Sequence, residues 1–179
     1  HMGDSAVEID CTFRPLDGEN ALRNAIYRLQ SEAEDAVRGG SKHLVLHDCC
    51  TDSERAPVPM ILATASVHTH LVQSRLRTFT SLNVRAAECL DVHYLAVLIG
   101  VGATTVNAYL AQESIADRHA RGLFSSISLD EALQRFKTAV DNGLLKIMSK
   151  MGISIVSSYR GGYNFEAVGL SRALTAEFM

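Results

Sequence analysis

Apolar and polar positions alternate along this chain with a changing period, and the period predicts the elements. Leu22, Ile26, Leu29, Ala33 and Val37 recur at helical spacing, with Asp17 as the expected cap and Gly39-Gly40 as the stop. Arg23, Arg28, Glu32, Glu34 and Asp35 fall on the outer face, read as a solvated surface. The run "KHLVLHD" is short, apolar and bounded, as expected for a buried strand ending at His47-Asp48. A polar loop from Cys49 to Ala56 follows. Pro57 and Pro59 then stand where a first helical turn tolerates missing N–H groups. Met60 to Gln73 is too long and too continuously apolar for one strand, so it reads as a helix.

The rhythm continues. Thr78–Val84 predicts a strand, Cys89–Ile99 a helix, and Gly100-Val101-Gly102-Ala103 a helix stop and turn. Thr104–Asn107 predicts a short strand, and a helix from about Ala108 to Arg121 ends at Gly122. Ser128-Leu129-Asp130-Glu131 matches the Ser-x-x-Glu capping box, with Glu131 reaching back to the cap. The helix it opens carries Leu133, Phe136 and Val140 on one face, Leu144, Leu145, Ile147, Met148 and Met151 continue that face, and Asn142-Gly143 is expected to separate two helices. "ISIVS", residues 153–157, reads as a β-branched buried strand, and "YRGG" as the loop after it. Alternating strands and helices imply right-handed βαβ units. The expected fold class is α/β: a mainly parallel sheet of about four strands, open or like part of a barrel.

The 179 residues suit one domain, with 1–3 read as a tag remnant and start and 4–179 as a single α/β unit. A formal net charge of -3 with mixed signs gives no basic stripe for nucleic acid. The longest apolar run, Leu95–Ala103, is far short of the roughly 20 residues a membrane span needs. With no secretion signal, the four cysteines read as reduced cytoplasmic thiols; neighbouring Cys49 and Cys50 admit a soft metal or a strained redox pair.

His68-Thr69-His70 resembles a metal-ligand pair. On a helix the two rings point about 200° apart and cannot share an ion, so no metal is assigned to them. Function in such sheets gathers at the carboxyl ends of strands, and three places are expected there. One is His47-Asp48-Cys49-Cys50. The second is Asn107 with Tyr109, Gln112 and Glu113. The third is Tyr159-Arg160-Gly161-Gly162-Tyr163-Asn164 with Glu166. In the third, the glycines allow close backbone approach, and Arg160 can clamp a carboxylate or phosphate or pair with an acidic group of a neighbouring element. Gly100-Val101-Gly102 lacks the third glycine of a dinucleotide loop. No Ser-His-Asp order, HExxH or P-loop is present, and no catalytic residue is assigned.

Three blocks carry a resemblance: "PVPMILATASVHTHL", "LIGVGATTVNAYLAQESIAD" and "KIMSKMGISIVSSYRGGYNFEAVGLS". In order and at length they resemble the large chain of bacterial glutamate synthase, from about Leu22 to Phe178. The match is to the later part of its central domain, between a glutamine amidotransferase domain and an FMN-binding barrel. The resemblance implies an enzyme that releases ammonia from glutamine and channels it to 2-oxoglutarate. There reduced FMN delivers hydride, with electrons arriving through iron–sulfur clusters from an NAD(P)H-oxidising partner chain, the small (beta) subunit, or from ferredoxin in related forms. It implies that this segment connects and positions those domains, is cytoplasmic, and holds no cofactor of its own. The terminal "SRALTAEFM" reads as a helix running to the last residue, as in a segment cut from a longer chain. The alternative is a free-standing α/β domain that binds a small anion through Arg160. The chain departs from the commoner family pattern at three points: His47-Asp48-Cys49 replaces Ser-Asp-Arg, Thr69 replaces the middle of three histidines, and Ala108 stands where many relatives have proline.

Overall fold

The computed structural model describes residues 6–124, 126–162 and 164–179. Four parallel strands form the main sheet in the order β1 (Ala6–Asp10), β3 (His43–His47), β5 (Ser81–Arg85), β6 (Thr105–Asn107). The short strands β2 (Thr12–Phe13) and β4 (Ala56–Pro57) pair antiparallel beside it. Between the sheet strands run α1 (Ala21–Arg38), α2 (Met60–Gln73) and α3 (Val92–Gly100). Then come α4 (Tyr109–Ala120), α5 (Leu129–Lys150), the single turn α6 (Val156–Tyr159) and α7 (Arg172–Phe178).

Strands follow one another across the sheet in chain order. Right-handed crossovers then place successive helices on the same face, as in a sector of a barrel. The burial pattern agrees. Ile9, Leu44, Leu46, Leu82 and Val84 share one strand parity and join Ile26, Leu29, Val67 and Leu71 of the helices in a single core. The opposite parity is almost wholly polar. Its rows are Glu8–Val45–Asn83–Thr105 and, one pleat nearer the carboxyl ends, Asp10–His47–Arg85–Asn107. This α/β sheet is open, with no closed barrel among the described residues.

The count of four strands holds, but its membership differs. The 153–157 strand is absent. Met148, Ser149 and Ile153 instead complete the end of α5: Gly152 N–H donates to Ser149 O and Ile153 N–H to Met148 O, the paired bonds of a left-handed helix stop. Ile155 and Val156 are exposed. The fourth strand is β1, whose Val7 and Ile9 alternate with Glu8 and Asp10. Asn142-Gly143 does not break α5. Gly143 lets Val92 of α3 approach, since a Cβ there would fall 2.5 Å from Val92 Cγ1. α1 begins at Ala21, and Asp17 belongs to a 3₁₀ turn instead of a cap. Ser128 Oγ does accept from Glu131 N–H at 3.2 Å, while the Glu131 carboxylate turns to Arg135 rather than back to the cap. Not all of the charged face of α1 is merely solvated. Arg28 donates to Asp10 O and Thr12 O, and Glu34 accepts from His70 of α2.

Candidate functional site

The two ends of the sheet carry different chemistry. At the amino ends, His68 of α2 is the centre. Arg77, in the 3₁₀ turn before β5, donates from Nε to His68 Nδ1 at 3.0 Å. The rest of the Arg77 guanidinium is bound by Thr80 O at 2.7 Å and Gly102 O at 2.8 Å. The imidazole fits because two glycines flank it. A Cβ on Gly102 would lie 2.3 Å from His68 Nδ1, and one on Gly161 would lie 2.9 Å from Nε2. Both also have positive φ, +122° and +69°, which side chains rarely adopt. Gly161 N–H donates to Gly100 O at 2.8 Å, which docks the 160–162 loop onto the end of α3. The glycines thus permit a close approach, and the group approached is His68 of this same chain.

Burial holds the His68 pKa down to about 4, and the charges of Arg77 and then Arg160 add to that. The ring is therefore neutral near pH 7 and serves Arg77 as an acceptor. Arg77 is itself lowered, by burial first and then by Arg160. His70, two residues on, faces the other way and meets Glu34 Oε2 at 2.6 Å. The two histidines have separate partners, as helical rotation requires.

The third expected place is therefore at the amino edge. Arg160 sits beside Arg77 and His68, not beyond a strand's carboxyl end, because residues 153–157 form no strand. Asn164 Nδ2 donates to Tyr159 O at 3.1 Å and closes the loop, and Gly162 is packed under it. Tyr159 is buried and its hydroxyl donates to Ala96 O. Glu166 is exposed, away from the loop's hydrogen bonds, and Tyr163 lies outside the described residues.

At the carboxyl ends the other two places stand side by side. Asp10 accepts from Thr12 N–H and pairs with Arg55. Burial would raise its carboxyl, but the Thr12 hydrogen bonds and then the Arg55 charge outweigh this and hold it below the ordinary value. His47, only 8% exposed, leaves Nδ1 without a partner, and ligand atoms of Asp10, His47 and Cys50 lie within 4.8 Å of one another. A cation there would have to compete with Arg55 for Asp10. Asp48 is buried and accepts from Ala87 N–H at 2.8 Å. Arg85 lies 5.7 Å over the Tyr109 ring. Burial, then Asp48 and Cys49, push the Tyr109 phenol up. Cys49 and Cys50 are exposed free thiols. Gln112 Nε2 reaches Asn107 Oδ1 at 3.2 Å, and Glu113 is exposed. Sequence reasoning missed Arg77, Arg85, Arg55 and Lys42. It missed Asp10 as well, the one of them with a signal, in the alternation of Ala6–Asp10.

Residues 1–171 match the family model described as the glutamate synthase central domain. The chain is 66% identical, over 99% of its length, to the glutamate synthase [NADPH] large chain of Azospirillum brasilense, covering 12% of that protein. It is 40% identical over 90% of its length to glutamate synthase [NADH] of Schizosaccharomyces pombe, covering 8% of it. It is likewise 40% identical over 86% to the ferredoxin-dependent chloroplastic enzyme of Spinacia oleracea, covering 10%. This chain belongs to the glutamate synthase central-domain family. It spans about a tenth of the length of the curated relatives it matches. No helix among the described residues is long and apolar enough to cross a membrane.

Proposed function

We propose that this chain is a connecting and positioning segment of glutamate synthase. In that role it holds the amidotransferase domain against the FMN-binding domain and helps wall the path of ammonia between them. The segment performs no chemistry of its own. FMN, the iron–sulfur clusters and the site that accepts electrons belong to other parts of the enzyme and to its small subunit. The single observation that carries this reading is that 99% of this chain aligns, at 66% identity, with only 12% of a large-chain relative. Exposed apolar side chains support it. Ile155, Val156, Leu170 and Val168, the last 91% exposed, lie in the stretch after α5, where neighbouring domains would cover them.

The test compares the 179-residue chain with an intact large chain. Glutaminase activity and glutamate formation from glutamine and 2-oxoglutarate are expected only from the intact chain. Clear turnover by the short chain would overturn the non-catalytic role. Replacing the segment in the intact enzyme by a flexible linker should leave glutaminase activity and abolish its coupling to glutamate formation. Retained coupling would overturn the positioning role.

A further inference from the structure

The basic centre at the amino edge opens on a cavity of about 600 Å³. Lys42, His43, Arg77, Ser157 and Arg160 contribute to its wall, and no aspartate or glutamate does among the described residues. Three formal positive charges, those of Lys42, Arg77 and Arg160, thus share one hollow with no counter-charge. By contrast, Arg38, Arg55 and Arg135 each sit against a carboxylate.

The two guanidiniums are close enough to act on each other, and each also acts on His68. Holding like charges together in a half-buried place costs free energy unless an anion joins them. Their donor inventories differ. Arg77 has committed its fork to His68, Thr80 O and Gly102 O, so it supplies charge and a rigid wall. The Arg160 side chain makes no hydrogen bond or ion pair among the described residues, so its planar fork is free for bidentate contact. Its backbone is fixed by Arg160 N–H donating to Val156 O and by the Gly161–Gly100 bond next to it, so the free fork stands on an anchored loop. Lys42, exposed at the start of β3, adds a mobile charge at the rim.

We propose that this cavity binds a small dianionic oxyanion, a phosphate or a short dicarboxylate, with Arg160 as the principal clamp and Lys42 at the rim. The site is at the opposite end of the sheet from the carboxyl-edge groups, and it does not depend on the positioning role above.

Calorimetric titration of the 179-residue chain with inorganic phosphate, with malonate, and with sodium chloride at matched ionic strength tests it. Saturable binding of at least one dianion is expected, with a rise in melting temperature and no response to chloride. Preference for phosphate assigns a phosphate ester as the ligand class, and preference for malonate assigns a dicarboxylate. Arg160→Ala should weaken binding by about tenfold or more, and Lys42→Ala, at an exposed position, by about threefold. Lys146→Ala, on the exposed surface of α5, should change nothing. No saturable binding of either dianion at matched ionic strength would overturn the proposal. So would binding that Arg160→Ala and Lys42→Ala, both shown folded by circular dichroism, leave unchanged.

Discussion

The amino and carboxyl ends of the sheet hold comparable numbers of charged groups and treat them in opposite ways. At the carboxyl end charges are matched: Asp10 has Arg55, Asp48 has a backbone N–H of the next strand loop, and Arg85 has the face of Tyr109. At the amino end cations gather without carboxylates among the described residues, and the acceptors that Arg77 meets are a neutral imidazole, two backbone carbonyls and the Thr104 hydroxyl. The matching at the carboxyl end is of charge and not of every polar atom: His47 Nδ1, Asp48 Oδ1 and Arg85 Nε are buried without a hydrogen-bond partner. The unmatched cluster has Arg77 held by several acceptors at once, while the Arg160 side chain makes no hydrogen bond or ion pair among the described residues. The part of the chain with the perturbed histidine and the glycine pair is the one whose uncompensated positive charge invites an anion, although strand-end logic favours the other end.

That contrast breaks most readily at Gly102. Alanine there places a Cβ against His68 Nδ1 and forces a side chain onto a φ of +122°. We expect Gly102→Ala to destabilise the fold by about 3 kcal/mol or more in chemical denaturation. A loss below about 1 kcal/mol would mean that His68 can leave its slot without consequence, and the amino-edge centre would not be a fixed structure.

A subtler effect comes from His68 itself. Its pKa is 6.5 unperturbed and about 4 in the fold, so between those values the unfolded chain binds a proton that the native chain does not. Stability is unaffected by this group above pH 6.5 and declines as pH falls toward 4. His68→Asn keeps an acceptor near the Nδ1 position and has no proton to gain, so it should flatten the slope of stability against pH in that window. An unchanged slope would place the acid sensitivity in other groups. Asp10 acts lower, because its depressed carboxyl contributes stability above the ordinary carboxylate value that is lost as pH falls through its folded value.

The smallest effect is expected at the carboxyl edge. Cys49→Ser and Cys50→Ser alter exposed thiols, so each should change stability by no more than about 0.5 kcal/mol. In the wild-type chain these two should react quickly with a thiol reagent. Cys11 and Cys89 should stay protected until unfolding, since both are buried and burial raises both thiols, Cys89 to about 11. A large stability loss on Cys50→Ser would reveal that the Asp10–His47–Cys50 group is a structural centre after all.

Local signals in the sequence were read where local physics decides. Met60–Gln73 is a helix with the bounds its continuous apolar run suggests, because length alone excludes a strand. The divergence of His68 and His70 follows from 100° per residue. The 153–157 segment misleads because β-branched residues look the same whether they fill a sheet or close a helix, and here Ile153 is taken by the end of α5. Gly143 misleads because an Asn-Gly pair signals a turn unless a neighbouring helix needs the space, as Val92 does.

By itself, then, the sequence determined the α/β alternation, the helix rotations, the Ser128 cap and, through three long blocks, the family. Each depends on residues a few positions apart or on an unbroken stretch of text. The tertiary structure alone decided that β1 joins the sheet and that the Arg160 loop returns to its amino edge. It alone brought Lys42, His68, Arg77 and Arg160 around one cavity. Those outcomes depend on strand order and on contacts between distant segments, which a local pattern of apolar and polar residues does not encode.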